Sequence, residues 1–432
     1  MNMPRLAVIV LPLVLAGCGT TGTGTPPQLA AANPGALQAC GDLASRAARP
    51  GVVYTSATPV PAGPVASGAN ASQPAPAHCL VQGRMNERKS AVDGNSYAIG
   101  FEMRLPVAWN GRFFHQVNGG LDGAVVPALG GIGGGAPVTN ALRMGFAVVS
   151  SDAGHAGALG PRFGLDPQAR LDYGYNAVAQ LTPVAKHVIA QAYGRGPDRS
   201  YIGGCSNGGR HAMVAAARSA GDYDGILAGN PGFNLPRAAV AQLYGAQQYA
   251  RIATASTPAG LPDLQSAFTP AELKLVSDVF RESAMAFMSP PDAANLATLR
   301  NRGAKMMVYH GTSDPVFSSD DTAAWYERVQ SANGGNAAAF ARYFPVPGMN
   351  HCSGGPATDQ FDMLSALVAW VERGEAPASV TATARGAGSN MVNPELPAGW
   401  SAQRTRPLCP WPQVARYQGG DPERASSFAC RP

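Results

Sequence analysis

Hydrophobic positions along this chain change their period twice. Between residues 36 and 105 they alternate in short segments, as in Ala98-Ile99-Gly100-Phe101-Glu102-Met103-Arg104-Leu105. That is the period of strands, and these segments predict an antiparallel edge. After the turn Trp109-Asn110-Gly111, Arg112 to Val117 reads as another strand and runs into Asn118-Gly119-Gly120-Leu121-Asp122-Gly123. The apolar runs Gly145 to Ser151 and Lys305 to His310 lose the alternation, as expected for buried strands of a parallel sheet. Ser200 to Gly203, Asp224 to Gly229 and Ala341 to Val346 predict further strands. Between them the period lengthens to that of a helix over Asp172 to Tyr193 (stopped by Gly194), Gly208 to Ala220, Thr322 to Ser331 and Asp359 to Arg373. Residues 230–300 show helical stretches, notably Pro270 to Ala284, without a clear strand. Strands alternating with helices predict an α/β sheet.

Composition narrows the class. The chain has 432 residues, 45% of them hydrophobic, enough for one large domain with insertions or for two. Its 52 Gly and 37 Pro predict many loops. A formal charge of +5, with no basic run and no Lys/Arg stripe among aromatics, gives no support to a nucleic-acid partner. Met1 to Arg5 carries one positive charge, and Leu6 to Leu15 is apolar but too short for a permanent membrane span. Leu15-Ala16-Gly17-Cys18 resembles a bacterial lipobox. Residues 1–18 therefore predict a lipoprotein signal with Cys18 as the lipidated residue. Gly19, in place of an aspartate, implies the outer membrane. Residues 19–35, rich in Thr, Gly, Pro and Ala, predict a flexible tether. The expected location is the periplasm or outer membrane of a Gram-negative bacterium, with membrane contact only through the lipid.

Of seven cysteines, six remain once Cys18 is set aside, and six allow fifteen pairings. An even set in an oxidising compartment favours disulfides. Neighbours in sequence would pair as Cys40–Cys79 and Cys409–Cys430, which leaves Cys205 with Cys352. No C-x-x-C or H-x-x-x-H spacing suggests a metal site.

Gly204-Cys205-Ser206-Asn207-Gly208 satisfies G-x-S-x-G, the pattern of a nucleophile set on a sharp strand-to-helix turn. A serine needs a base, and the base an orienting carboxylate. Ser206, Asp314 and His351 each follow a predicted strand, and the order Ser, acid, His is that of α/β-hydrolases. Asp320 and Asp321 are rival acids but sit at a helix start, where they complement the dipole. His310 and His115 read as structural histidines. His155, after Ser151-Asp152-Ala153-Gly154, is a pocket-lining candidate. The amide of Asn207 and that of Gly119, with Gly120 as the alternate, are the expected oxyanion donors.

Gly204 to Arg210 together with His351-Cys352 resembles the tannase and feruloyl esterase family, in which a Cys-Ser pair and a His-Cys pair are bridged beside the triad. Trp109-Asn110-Gly111-Arg112-Phe113, Ser151-Asp152-Ala153-Gly154-His155, Asp224-Gly225-Ile226 and Phe268-Thr269-Pro270-Ala271-Glu272-Leu273 extend the resemblance over roughly 36–430. It implies a serine carboxylic ester hydrolase acting on feruloyl, galloyl or terephthaloyl-type esters, with a small-molecule ester as partner and no cofactor. One departure stands out. Where the family carries a calcium loop rich in Asp and Gly, this chain reads Val276-Ser277-Asp278-Val279-Phe280-Arg281-Glu282-Ser283. The expectation is an α/β-hydrolase core over 36–230 and 301–432, a small, mainly helical lid over 231–300 between nucleophile and acid, and no calcium site. The alternatives are an esterase for aliphatic esters such as hydroxyalkanoate oligomers, and a non-catalytic binding lipoprotein. The sequence leaves the oligomeric state open.

Overall fold

The alternating segments before residue 107 form three antiparallel strands: β1 (Val52–Val60), β2 (His78–Lys89) and β3 (Ser96–Pro106). The apolar runs that follow form β4 (Arg112–Gln116), β5 (Ala147–Ser151), β6 (Arg199–Cys205), β7 (Gly225–Gly229), β8 (Lys305–Gly311) and β9 (Ala341–Val346). The structure is a computed structural model describing residues 27–68, 71–132, 139–235, 238, 244 and 288–432. Among the described residues these nine strands make one sheet in the order β1-β2-β3-β5-β4-β6-β7-β8-β9. It is antiparallel from β1 to the β3–β5 pair and parallel from β5 onward.

Both faces of the parallel part are covered, which is why its strands lack a polar face. On one side, α1 (Ala177–Tyr193), α2 (Asn207–Arg218) and α3 (Ser319–Ala332) bury Leu181, Ala212 and Trp325 with Ile226 and Val308 of the sheet. On the other, α4 (Met363–Arg373) buries Leu367 and Val371 with Leu227 and Met307. Each such fully buried aliphatic side chain contributes about 2 kcal/mol. The α/β-hydrolase architecture expected from the sequence is the architecture observed.

Several local expectations are corrected. The helix expected from Asp172 begins as a wider turn over Asp172–Asn176 before α1 starts at Ala177. The helix expected from Asp359 starts at Met363, because the Asp362 carboxylate accepts the Ser365 amide (2.8 Å) as its cap, and Gln360–Phe361 pairs as a strand instead. Residues 27–36 are not a free tether. Gln28 Nε2 donates to the Val371 carbonyl (2.7 Å), the Ala32 amide to Glu372 (3.0 Å), and the Asn33 amide to Asp198 (2.8 Å). Arg199 Nε donates to the Ala30 carbonyl (2.7 Å), and Gly35–Ala36 pairs with Ala108–Trp109. This stretch has little to bury, but its backbone groups find fixed partners. It straps the edge where β4 and β6 begin, opposite the edge where they end. The expected signal, Cys18 and residues 19–26 lie outside the described residues. So does most of the expected lid, including Pro270 to Ala284.

Candidate active site

Ser206 joins β6 to α2 with φ 65° and ψ −124°, a backbone conformation that costs a non-glycine residue of order 1–3 kcal/mol. The flanking glycines are required by space. A Cβ on Gly204 or on Gly208 would run into the Val117 carbonyl at the end of β4. The Ser206 amide donates to the Gly229 carbonyl (2.9 Å), tying the turn to the end of β7.

The ends of β8 and β9 bring in the other two side chains. His351 Nε2 lies 2.7 Å from Ser206 Oγ, and His351 Nδ1 lies 2.8 Å from Asp314 Oδ2. The Asp314 side chain is fully buried, while that of His351 keeps 24% of its surface exposed. Burial alone would raise the Asp314 carboxyl's pKa. His310, His351, Asn230 and the Val316 amide oppose this and hold it well below the usual carboxylate range. Asn230 Nδ2 donates to Oδ2 at 2.7 Å, and the Val316 and Phe317 amides donate to Oδ1 at 2.7 and 3.2 Å. The Phe317 ring stands edge-on to His351, with centroids 5.4 Å apart.

Cys205 and Cys352 form a disulfide across 147 residues, with Cα atoms 6.1 Å apart. It joins the residue before Ser206 to the residue after His351. Cys352 itself has φ 64°. Cys40–Cys79 and Cys409–Cys430 are bonded as well.

Gly119, on the loop after β4, faces the turn: a Cβ there would lie 3.6 Å from the Cys205 carbonyl and 3.8 Å from Ser206 Cβ. Gly120 has φ 63°, and a Cβ on it would meet nothing. Asn207 opens α2 directly after Ser206.

The rival residues fall elsewhere or take other roles. His115 packs inside the sheet against Thr182 (3.0 Å), and burial pushes its pKa down to about 3. His155 stacks on Phe163 with centroids 3.8 Å apart; burial lowers its pKa against the pull of Asp122. Asp320 and Asp321 stand at the start of α3, where Ser318 Oγ accepts their amides at 3.2 and 3.4 Å. His310 does more than pack. Its Nε2 lies 3.1 Å from Asp314 Oδ2 and its Nδ1 2.8 Å from Thr322 Oγ1. His310 and Asn230, the residue after β7, were not among the expected site residues. Both follow or end apolar strands, and that position at a strand's C-terminal end is the one signal that marks them. Among the described residues no group of three or more His, Cys, Asp or Glu is placed to hold a metal ion.

The family model for tannase and feruloyl esterase matches residues 79–278 and 277–431. The chain is 33% identical to the mono(2-hydroxyethyl) terephthalate hydrolase of Piscinibacter sakaiensis across 82% of this chain and 85% of that one. It is 24% identical to a probable feruloyl esterase B-2 of Neosartorya fischeri across 81% and 87%. The crystal structure of feruloyl esterase B from Aspergillus oryzae has the same fold, with TM-score 0.71 at 21% identity over 91% of this chain and 99% of that one. The alignment with the hydrolase runs over 523 residues yet takes up 82% of these 432, so the relative carries insertions absent here. The family match breaks at residues 277–278, between Ser206 and Asp314.

Proposed function

The chain belongs to the tannase and feruloyl esterase family and is a carboxylic ester hydrolase, and from that premise we propose that Ser206, His351 and Asp314 carry an acyl-enzyme mechanism on esters of aromatic acids. The observation that carries it is the unbroken line from Ser206 Oγ through His351 to a buried, ionised Asp314, at 2.7 and 2.8 Å. Ser206 Oγ attacks the ester carbonyl as His351 Nε2 takes its proton. Asp314 fixes the imidazole with Nδ1 protonated and stabilises the imidazolium. The Gly119 and Asn207 amides take the negative charge forming on the carbonyl oxygen. His351 then returns the proton to the leaving alcohol, activates a water on the acyl-enzyme, and the acid departs. No cofactor enters these steps.

The aromatic acyl group is supported by the names of the relatives. They act on terephthaloyl and feruloyl esters, and a family link of 33% identity makes a related acid the best reading. The segment between Ser206 and Asp314 favours a second reading. It is where the family match breaks, which supports a reduced lid over 231–300, and a shorter lid makes aliphatic esters such as hydroxyalkanoate oligomers more accessible. The same segment offers Asp278 and Glu282 where a calcium loop needs six or more oxygen ligands, so we read it as lacking that site. Three disulfides support the reading of an exported protein.

Turnover of feruloyl, galloyl, terephthaloyl and hydroxybutyrate esters, by the wild type and by Ser206→Ala, tests both readings. The expected result is loss of all turnover in the variant and preference for an aromatic acid in the wild type. Turnover undiminished by Ser206→Ala would end the mechanism. A preference for hydroxybutyrate would end the aromatic assignment alone.

A further inference from the structure

Asn207 is held from three directions by its side chain. Its Nδ2 donates to Asp122 Oδ2 at 2.6 Å. Its Oδ1 accepts from Arg210 Nη2 and Nε at 2.6 and 2.9 Å, with the Tyr173 hydroxyl 3.1 Å away. Asp122 sits on the loop after β4, just beyond Gly119. Its amide donates to the Gly119 carbonyl (3.3 Å), and its own φ of 56° folds the loop back on itself. The Tyr173 hydroxyl also lies 3.3 Å from the Gly120 carbonyl. One carboxylate on the loop and one carboxamide at the head of α2 thus join two elements 85 residues apart in sequence.

His211 Nε2 lies 3.0 Å from the same Asp122 oxygen, and both side chains are 2% exposed. His211 Nδ1 is buried without a hydrogen-bond partner among the described residues. The same His211 Nε2 lies 3.2 Å from Arg210 Nη2, which ties it into the cluster around Asn207. Asp122 Oδ2 thus meets two side chains of α2, Asn207 and His211.

We propose that Asp122 is a positioning residue for the oxyanion site, fixing through Asn207 the separation between the Gly119 and Asn207 amides. This rests on the reading of those amides as the oxyanion donors. The loop needs such a tie. Its far end is fixed, since the Gly123 amide donates to the Asp152 carbonyl (3.0 Å), but Gly119 and Gly120 have no side chains to fix the near end, and such donors act only when held to within about 0.5 Å. Burial pushes the Asp122 carboxyl up to about 7, against the pull of Arg210, His155 and Asn207. The Asp122 charge in turn helps to raise the neighbouring Asp152 carboxyl. The fold holds a carboxyl where an apolar side chain would be less costly, a pattern typical of groups kept for a site's function.

The test pairs p-nitrophenyl esters with their thiono counterparts, whose sulfur is a larger and weaker acceptor. A working oxyanion site gives a high ratio of oxo to thiono kcat. Asp122→Ala is expected to lower the oxo kcat about 10- to 100-fold, with KM within about twofold, and to bring the ratio towards one. Asn207→Ala, which keeps the backbone amide, should do the same. Asp122→Asn, which keeps an acceptor for Asn207, should recover part of both. Should Asp122→Ala fail to fold, Asn207→Ala reads the same tie from its other end. A wild-type ratio near one overturns the oxyanion reading itself. A high wild-type ratio that survives in the variants overturns the role of Asp122 and leaves that reading intact.

Discussion

Ser206 has two flanks, and each contains a buried carboxyl treated in the opposite way. On the base side, Asp314 sits among His310, His351, Asn230 and two backbone amides, which hold its pKa far down. On the oxyanion side, Asp122 meets the Asn207 and His211 side chains, and burial pushes its pKa up to about 7. Burial pushes both carboxyls up; at Asp314 the surrounding donors outweigh it, and at Asp122 they do not. The difference also matches what the proposed mechanism asks of each flank. The base side has to keep a permanent charge beside an imidazole that becomes cationic during the reaction. The oxyanion side has to keep two neutral amides in register, and extra fixed negative charge there would oppose the charge forming on the substrate.

The mechanical ties differ as well. The base side is joined to the nucleophile covalently, through Cys205–Cys352, and Ser206, Asn230 and Cys352 there all have positive φ. The oxyanion side is joined by hydrogen bonds, from Asn207 and His211 to Asp122 and from Tyr173 to the Gly120 carbonyl.

The largest effect comes from breaking the base side at its charge. Asp314→Asn leaves the volume but offers His351 Nδ1 the wrong partner, so kcat should fall by about 10⁴ in steady-state assays. A fall of less than about tenfold would mean that the line of hydrogen bonds is not used. Next comes its covalent tie. Replacing Cys205 and Cys352 together by Ser should lower stability by about 2–5 kcal/mol in denaturant titrations, and kcat should drop with it as His351 loses its anchor. Unchanged kcat at full folding would show that β9 alone positions His351.

The smallest effect sharpens the other flank. Burial, partly offset by the Gly154 and Gly100 amides and aided by the Asp122 charge, raises Asp152 to about 7 from 3.8. Its folded pKa lies above its unfolded one, so the native state binds more protons between about pH 4 and 7, and stability from this group falls as pH rises through that window. Asp152→Asn should therefore gain melting temperature relative to wild type at pH 8 and little at pH 4. An equal shift at both pH values would show that Asp152 does not titrate there.

The sequence disclosed most of the base side. Ser206, Asp314 and His351 lie in local patterns, each at a strand end, and their order carries the fold's connectivity. Pairing the cysteines needed only parity and proximity. Asn230 and His310 stayed hidden because their link to Asp314 exists only once β7, β8 and β9 lie side by side. Asp122 stayed hidden for a related reason: its partner is 85 residues away, and nothing in Leu121-Asp122-Gly123 distinguishes it from an ordinary turn. Residues 27–35 misled in the opposite direction. Their composition suits a tether, but their contacts run through backbone groups, which composition does not record.

Both flanks converge on one oxygen, and the most direct measurement is to trap the acyl group on it. Rapid mixing with a p-nitrophenyl ester, acid quenching and peptide mass mapping should find the acyl mass on the peptide containing Ser206, formed in a burst and absent from His351→Ala. An acyl group on another residue, or none despite turnover, would contradict the account.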